Sequence, residues 1–192
     1  MKYLLSTYLI LVSIISWGQV QRVEVEAIDN GAAVPGKTIR VYLVLANDSD
    51  QVYTVYGEGI HLMEIKSTKP FYQSLLGGAT SRFVNKKLAK ENSEVRYDSW
   101  LTIGAEDNYN NNTDILLDLN SFEKEGASIS TKDGAWYALP GNKQCYPDSK
   151  KRVLIMQLTS EGTMSGKFSV MGKDVKGQIF HNYDLEFTYK AK

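Results

Sequence analysis

The chain has few of the residues that mark disulfide-rich, metal-binding or nucleic-acid-binding proteins. Among its 192 residues are one cysteine, two histidines and four prolines. A lone cysteine, Cys145, excludes an intramolecular disulfide, so it is either a buried small hydrophobic residue or a free thiol for an intermolecular bond. The 22 basic residues are balanced by 22 acidic ones. Because such a chain has no sustained positive field, we expect no nucleic-acid partner.

Sequence signatures of catalysis are also missing. His61 and His181 are the only histidines that could serve as a general base, and neither lies in a nucleophile motif. There is no Gly-x-Ser-x-Gly elbow, no phosphate-binding glycine loop and no zinc-ligand spacing. A glycosidase needs two facing carboxylates, which sequence cannot identify among 22 scattered acids. We therefore expect no catalytic residues, and a carbohydrate-active enzyme with an unrecognised carboxylate pair stays as the alternative.

The N-terminus has the pattern of a signal peptide. Lys2 precedes an apolar run over residues 3–15, which is shorter than the roughly 20 residues needed to span a bilayer. Ser16 and Gly18 are small residues at the −3 and −1 positions, so we predict a signal peptide over residues 1–18 and cleavage before Gln19. The alternative is an uncleaved anchor. We expect a secreted or periplasmic protein with no membrane span after cleavage.

Strict alternation over residues 39–45 is the clearest structural signal. Ile39, Val41, Leu43 and Leu45 fall on one face of the chain, which is the period of a strand packed against a core. Similar short segments recur with turn residues every 8 to 12 positions or so, a spacing typical of sandwiches and barrels. We predict an all-β protein, an antiparallel β-sandwich of jelly-roll or cohesin-like type with about ten strands. Residues 19–192 are expected to form one domain.

Two stretches of the predicted sandwich differ in character. Residues 66–94 interrupt the strand rhythm, and residues 85–92 are expected to form one short helix that carries Leu88 inward. Such an insertion is either a functional excursion or a plain crossover over one end of the sandwich. Residues 94–104 return to alternation with bulky groups on both faces, which predicts a central strand.

Aromatic residues supply the candidate partner-binding surface. Tyrosine and tryptophan combine an apolar face with a hydrogen-bonding tip, which suits partner recognition and stacking on sugars. The alternative is that the tryptophans, Trp100 and Trp136, belong to the core. The residues predicted to bind a partner lie in or beside strand ends and the excursion: Phe71, Tyr72, Gln73, Tyr56 and Trp136.

A polar loop over residues 106–114 is the only candidate metal site. Its carboxylate and amide oxygens are the hard ligands that Ca²⁺ prefers. The spacing does not follow the EF-hand pattern, so the alternative is an asparagine-rich solvated turn. The candidate calcium ligands are Glu106, Asp107, Asn110, Asn112 and Asp114, and no other cofactor is expected.

Several segments carry a resemblance to known domains. They are Val34-Pro35-Gly36-Lys37-Thr38-Ile39-Arg40-Val41-Tyr42, Val55-Tyr56-Gly57, Pro70-Phe71-Tyr72-Gln73 with Gly77-Gly78, Tyr97-Asp98-Ser99-Trp100-Leu101-Thr102-Ile103-Gly104 and Arg152-Val153-Leu154-Ile155-Met156-Gln157-Leu158-Thr159. Together they resemble a secreted β-sandwich domain of Bacteroidota-type bacteria that has no settled activity. The Pro-Gly-x-Thr opening is also similar to that of cohesins, over a short stretch only.

These observations favour an exported, non-catalytic module that binds a protein or glycan partner at the envelope or outside the cell. A structural subunit of an envelope assembly is a further alternative to the enzyme. The resemblance bears on fold and location, and implies no partner residue by residue.

Overall fold

The computed structural model describes residues 19–190, so the predicted signal peptide lies outside the described residues. Within this range the chain forms nine strands, three short α-helices and two 3-10 turns. The strands are β1 (Val20–Ile28), β2 (Lys37–Leu45), β3 (Gln51–Ser67), β4 (Trp100–Leu101), β5 (Asp114–Ile115), β6 (Ile129–Tyr137), β7 (Arg152–Ser160), β8 (Met164–Lys173) and β9 (Ile179–Tyr189). The helices are α1 (Lys86–Glu91), α2 (Ser93–Arg96) and α3 (Asn120–Glu125), with 3-10 turns at Ser81–Phe83 and Lys143–Cys145. None of these helices is long and apolar enough to cross a membrane.

The strands form two antiparallel sheets. One has four strands in the order β1-β2-β7-β4, and the other has five in the order β5-β6-β3-β8-β9. The chain changes sheet five times, between β2 and β3, β3 and β4, β4 and β5, β6 and β7, and β7 and β8, so neither sheet is built from consecutive strands alone. This arrangement confirms the predicted β-sandwich, whereas the jelly-roll or cohesin-like subtype stays a prediction.

The main core lies between the two sheets, and β2 contributes one face to it. Ile39, Val41, Leu43 and Leu45 are all buried there, which confirms the face predicted from alternation. Val55 and Trp136 enter the same core from the five-stranded sheet. Val55 of β3 pairs with Trp136 of β6. Because paired residues on neighbouring strands point to the same side of a sheet, both side chains face the core.

A second, smaller core covers the outer side of the four-stranded sheet. The side chains of Tyr42 and Leu154 point away from the main core and pack against Trp100, Val84 and Val95. Helix α1 adds Leu88, and its first turn is capped by the Asn85 side chain, which accepts hydrogen bonds from two backbone N–H groups. The predicted short helix is therefore confirmed, and β2 is buried on both faces because of it.

The prediction of a central strand over residues 94–104 is wrong. Helix α2 occupies its first part, since the Asn92 side chain caps that helix by accepting from Glu94 N at 2.8 Å. Only Trp100–Leu101 pair as a strand, and β4 lies at the edge of its sheet. The bulky residues on both sides reflect the two cores that meet here, not a strand with two sheet neighbours.

The sequence predicts a strand at residues 52–56 that ends at Gly57, a separate strand at residues 60–65, and two strands at residues 127–131 and 134–139. The structure has one continuous strand in each of these two regions. Residues 52–56 and 60–65 belong to one strand, β3, whose pairing shifts after Tyr56 and Glu58. Gly57 is needed there because a Cβ would lie 2.4 Å from the Thr131 carbonyl oxygen. Likewise, the two strands expected around Gly134 are the single strand β6. The expected count of about ten strands therefore becomes nine.

Candidate functional site

A cleft of about 410 Å³ opens on the outer side of the four-stranded sheet. Its floor is formed by Tyr42 of β2 with Arg152 and Leu154 of β7. Its walls are two loops, residues 104–110 and residues 143–148. The cleft shares Tyr42 and Leu154 with the small outer core, so it lies on the same side of the four-stranded sheet.

Arg152 organises the floor of the cleft. Its guanidinium lies 4.1 Å from the centre of the Tyr42 ring, a cation–π distance. The same group bonds Glu24 and Glu26 of β1, each at 3.1 Å, and Asp148 at 3.2 Å. Three carboxylates surround one cation, so the side chain is held in a single position.

The two walls are tied together by Gln144. Its amide donates to the Ile103 carbonyl at 2.7 Å and its oxygen accepts from Asn112 N at 2.8 Å. Gly104 adopts a positive φ of 67°, and a Cβ at this position would lie 1.8 Å from the Gln144 carbonyl oxygen. Glycine is required because it combines the left-handed conformation with this close approach.

Two exposed tyrosines face the cleft, one from each wall. Tyr109 is 67% exposed and Tyr146 is 37% exposed, and both line the cleft. Asp107 fixes the turn before Tyr109 by accepting its N–H at 2.8 Å, and Lys86 lies 5.1 Å from the ring centre. Aromatic rings held in this way present both a face for stacking and a hydroxyl for hydrogen bonding.

Both carboxylates that line the cleft are engaged by arginine. Glu106 bonds Arg40 at 3.0 Å, and Asp148 bonds Arg152. Burial alone would raise the pKa of Asp148, but the backbone N–H groups of Arg152 and Lys150 and the Arg152 side chain hold it below its usual value. Asp148 is therefore ionised at neutral pH and unsuited to act as a proton donor.

The five predicted calcium ligands do not come together as one cage. Glu106 and Asn110 line the cleft, whereas Asp107 pairs with Lys86 at 3.3 Å. Asn112 turns toward Gln144 through its backbone, and Asp114 belongs to β5 in the other sheet. Among residues 19–190, no group of three or more His, Cys, Asp or Glu could hold a metal ion. The geometry of this loop therefore gives the calcium hypothesis no support.

Most of the predicted partner-binding residues are buried. Trp136 is fully enclosed and donates its indole N–H to the Thr102 carbonyl at 2.9 Å, and Phe71 is 3% exposed against Phe122. Buried rings offer no face to a partner, and Trp100 and Trp136 belong to the cores, as the alternative predicts. Tyr72 and Gln73 are partly exposed, so partner contact through them stays a prediction.

Tyr56, the remaining predicted binding residue, belongs to a cluster that joins both histidines. Its hydroxyl lies 2.8 Å from His181 Nδ1, and His61 Nδ1 lies 2.8 Å from Asp184. Tyr183 stacks on both imidazoles, with ring centres 4.3 Å and 5.8 Å apart. Bulges in β3 and β9, on either side of β8, turn these residues to one outer face of the five-stranded sheet.

One buried carboxylate has a raised pKa. Asp98 has no exposed surface, and burial raises its pKa to about 7 although three backbone N–H groups oppose the shift. These donors belong to Ser74, Ser99 and Gly78, at 2.7, 2.9 and 3.2 Å. Asp98 therefore fixes the loop of the excursion, and its enclosure leaves no access for a substrate.

Sequence reasoning singled out Glu106 and Asn110 but missed the other residues that form the cleft. Tyr109 lies within the polar loop predicted to bind calcium, and Tyr146 follows Cys145, which is buried and free of disulfides. The signal that could have found Arg152 is its position as the first residue of an otherwise apolar strand. No family model, curated protein or solved structure matches the chain.

Proposed function

We propose that this chain is a non-catalytic module that binds a glycan in the cleft between residues 104–110 and 143–148. The observation that carries the proposal is the pair of exposed rings, Tyr109 and Tyr146, on the two walls of one cleft. Tyrosine rings stack on the apolar faces of sugars, while their hydroxyls bond sugar hydroxyls.

The polar groups at the cleft also suit a sugar. Lys143 and Asn110 line it, and among the described residues neither side chain has a hydrogen-bond partner or ion pair. Donors without partners are available to the many hydroxyls of a glycan. A volume of about 410 Å³ falls within the range of roughly 300 to 1,000 Å³ that small-ligand sites occupy.

Ion pairing of the carboxylates favours binding over hydrolysis. A glycosidase needs one carboxylic acid that is protonated at its working pH. Asp148 has a lowered pKa, and Glu106 is held by Arg40. Both carboxylates that line the cleft are thus held by arginines, which supports a binding module over the carbohydrate-active enzyme.

The proposal places the protein outside the cytoplasm. The predicted signal peptide and the absence of a disulfide framework are compatible with a secreted or periplasmic domain whose packing alone stabilises it. Its partners would then be glycans of the envelope or the extracellular space.

Glycan-array screening followed by calorimetry tests the proposal. We expect a glycan ligand whose affinity falls about tenfold or more in Tyr109→Ala and in Tyr146→Ala, since each removes one stacking face. Tyr183→Ala is the matched control, because Tyr183 is similarly exposed but lies on the other sheet. Turnover of a glycan, or equal loss of affinity in the control, would contradict the proposal.

A further inference from the structure

A second cavity, of about 440 Å³, lies between the excursion and the segment that leads into α3. Most of its wall is apolar and is formed by Phe83, Ile115, Leu117 and Leu119. Phe83 is 63% exposed, so its ring is available to a ligand. The cavity is separate from the glycan cleft, since the two have no lining residue in common.

Every ionisable side chain that lines this cavity is an acid. They are Asp118 and Glu123. Asp118 accepts hydrogen bonds from the backbone and side chain of Asn120. In contrast, Glu123 Oε2 is buried without a hydrogen-bond partner, and within residues 19–190 no cation pairs with this carboxylate. A buried carboxylate oxygen without a partner is costly, so a ligand that supplies a donor would gain from it.

Two adjacent glycines shape the floor of the cavity. A Cβ on Gly77 would lie 1.8 Å from Asp98 Oδ2, so glycine allows a third carboxylate to sit directly beneath the lining. A Cβ on Gly78 would lie 2.7 Å from Cβ of Phe83, so this glycine allows Phe83 to pack closely against the floor. The cavity is thus defined by close contacts rather than by a loose loop.

Burial affects both neighbouring acids in the same direction. It raises the pKa of Glu123, and it raises the pKa of Asp98, to which the charge of Glu123 adds. A positive charge placed between the apolar walls and these acids would stabilise their ionised forms and lower both pKa values again. An inorganic ion would leave the apolar walls unused, whereas an organic cation would contact both.

We infer that this cavity binds a small organic cation, an ammonium group on an aromatic or aliphatic body. The ammonium pairs with the Glu123 carboxylate, which lines the cavity, and the body packs against Leu117 and the Phe83 ring. An ammonium close to a phenyl face also gains a cation–π attraction. The inference does not depend on glycan binding in the cleft.

NMR titration with three probes of one skeleton tests the inference. The probes are 2-phenylethylammonium, the neutral 2-phenylethanol and the anionic 3-phenylpropionate, each added to the full chain. We expect the cation to bind at least about tenfold more tightly than the alcohol, and the anion to bind most weakly. Shifts should centre on the amides of Gly77, Gly78 and Leu117.

Two isosteric variants separate a site from a general charge effect. Glu123→Gln removes the charge at the cavity and should abolish the preference for the cation. Glu125→Gln removes one charge from the same helix at a residue outside the cavity lining, and should leave the preference intact. Both should retain the wild-type melting temperature within a few degrees.

Three results with the organic probes would overturn the inference. They are equal affinity for the cation and the alcohol, shifts that centre away from the cavity, and an equal loss of preference in Glu125→Gln. Calcium added in place of the organic cation should produce no shifts at the cavity, and binding of calcium alone would equally overturn the assignment.

Discussion

The two cavities of this molecule treat their carboxylates in opposite ways. In the glycan cleft, Asp148 and Glu106 each bond an arginine, and the pKa of Asp148 is lowered. At the second cavity, no cation within residues 19–190 forms an ion pair with Asp98 or Glu123, and burial raises the pKa of both. The same functional group is thus a charged structural element at one site and a proton-accepting or cation-accepting element at the other.

Backbone architecture explains this difference. Arg152 stands on a central strand of the four-stranded sheet, within reach of β1 and of the loop that carries Asp148. Asp98 lies where the excursion folds back, and its partners are backbone N–H groups of that excursion. A sheet offers fixed side chains to pair with, whereas a loop without regular structure needs an acceptor for its own donors.

The largest expected effect comes from removing the buried acceptor. Asp98→Ala leaves three backbone N–H groups without their partner, and at about 1 to 3 kcal/mol for each such group we expect a loss of about 4 kcal/mol in the free energy of unfolding. Urea denaturation measures this. Asp118→Ala is the control, since that exposed carboxylate accepts only from Asn120, and it should cost less than about 1 kcal/mol.

The pH dependence of stability should reflect both the raised pKa of Asp98 and the lowered pKa of Asp148. Because the pKa of Asp98 is about 7 in the folded chain and about 4 when unfolded, the folded chain binds more protons between these values. The free energy of unfolding should therefore fall as pH rises, on the order of 2 kcal/mol between pH 5 and pH 7. Asp148 has the opposite sign, since its stabilisation is lost as pH falls below about 4.

Denaturation of one variant over a range of pH separates the contribution of Asp98 from that of Asp148. Asp98→Asn should flatten the decline between pH 5 and pH 7, whatever its absolute stability. An unchanged slope in this variant would show that Asp98 is already ionised in the folded chain at pH 5, and the contrast between the two cavities would fail.

Breaking the ion-pair cluster should have a smaller effect. Arg152→Met leaves Glu24, Glu26 and Asp148 facing one another and removes the cation from Tyr42. These acids are partly solvated, so we expect a loss of about 2 kcal/mol. Arg22→Met removes one exposed pair and should cost about 0.5 kcal/mol or less. Thermal denaturation measures both variants. An equal loss of stability in the two would show that Arg152 is an ordinary surface cation.

Strands with regular alternation could be predicted from sequence. The inward face of β2 follows from a period of two, because side chains on a strand must alternate between the core and the other side. The short helix predicted over residues 85–92, with Leu88 pointing inward, corresponds to α1.

Features that depend on distant contacts could not be predicted. Residues 94–104 alternate like a central strand, yet the small outer core and the acceptor role of Asp98 decide their conformation. The glycines of β3 read as a turn because nothing local shows that β6 and β8 continue past them. Pairing across the sheets decides whether a glycine ends a strand or forms a bulge.

The tyrosines that line the cleft could not be identified from sequence for a similar reason. Tyr109 and Tyr146 are 37 positions apart, and contacts of Gln144 and Gly104 bring their loops together. Phe71 and Trp136 were better candidates by residue type, but burial removes them from any surface. Composition favours aromatic residues as candidates, whereas tertiary contacts decide which of them are accessible.

A backbone-amide NMR map of the chain with its glycan ligand tests the central claim most directly. We predict that shifts concentrate in residues 104–110 and 143–148, with little change at Gly77 and Gly78. Shifts centred on those glycines, or on the Tyr183 face of the five-stranded sheet, would contradict the assignment of glycan binding to the cleft.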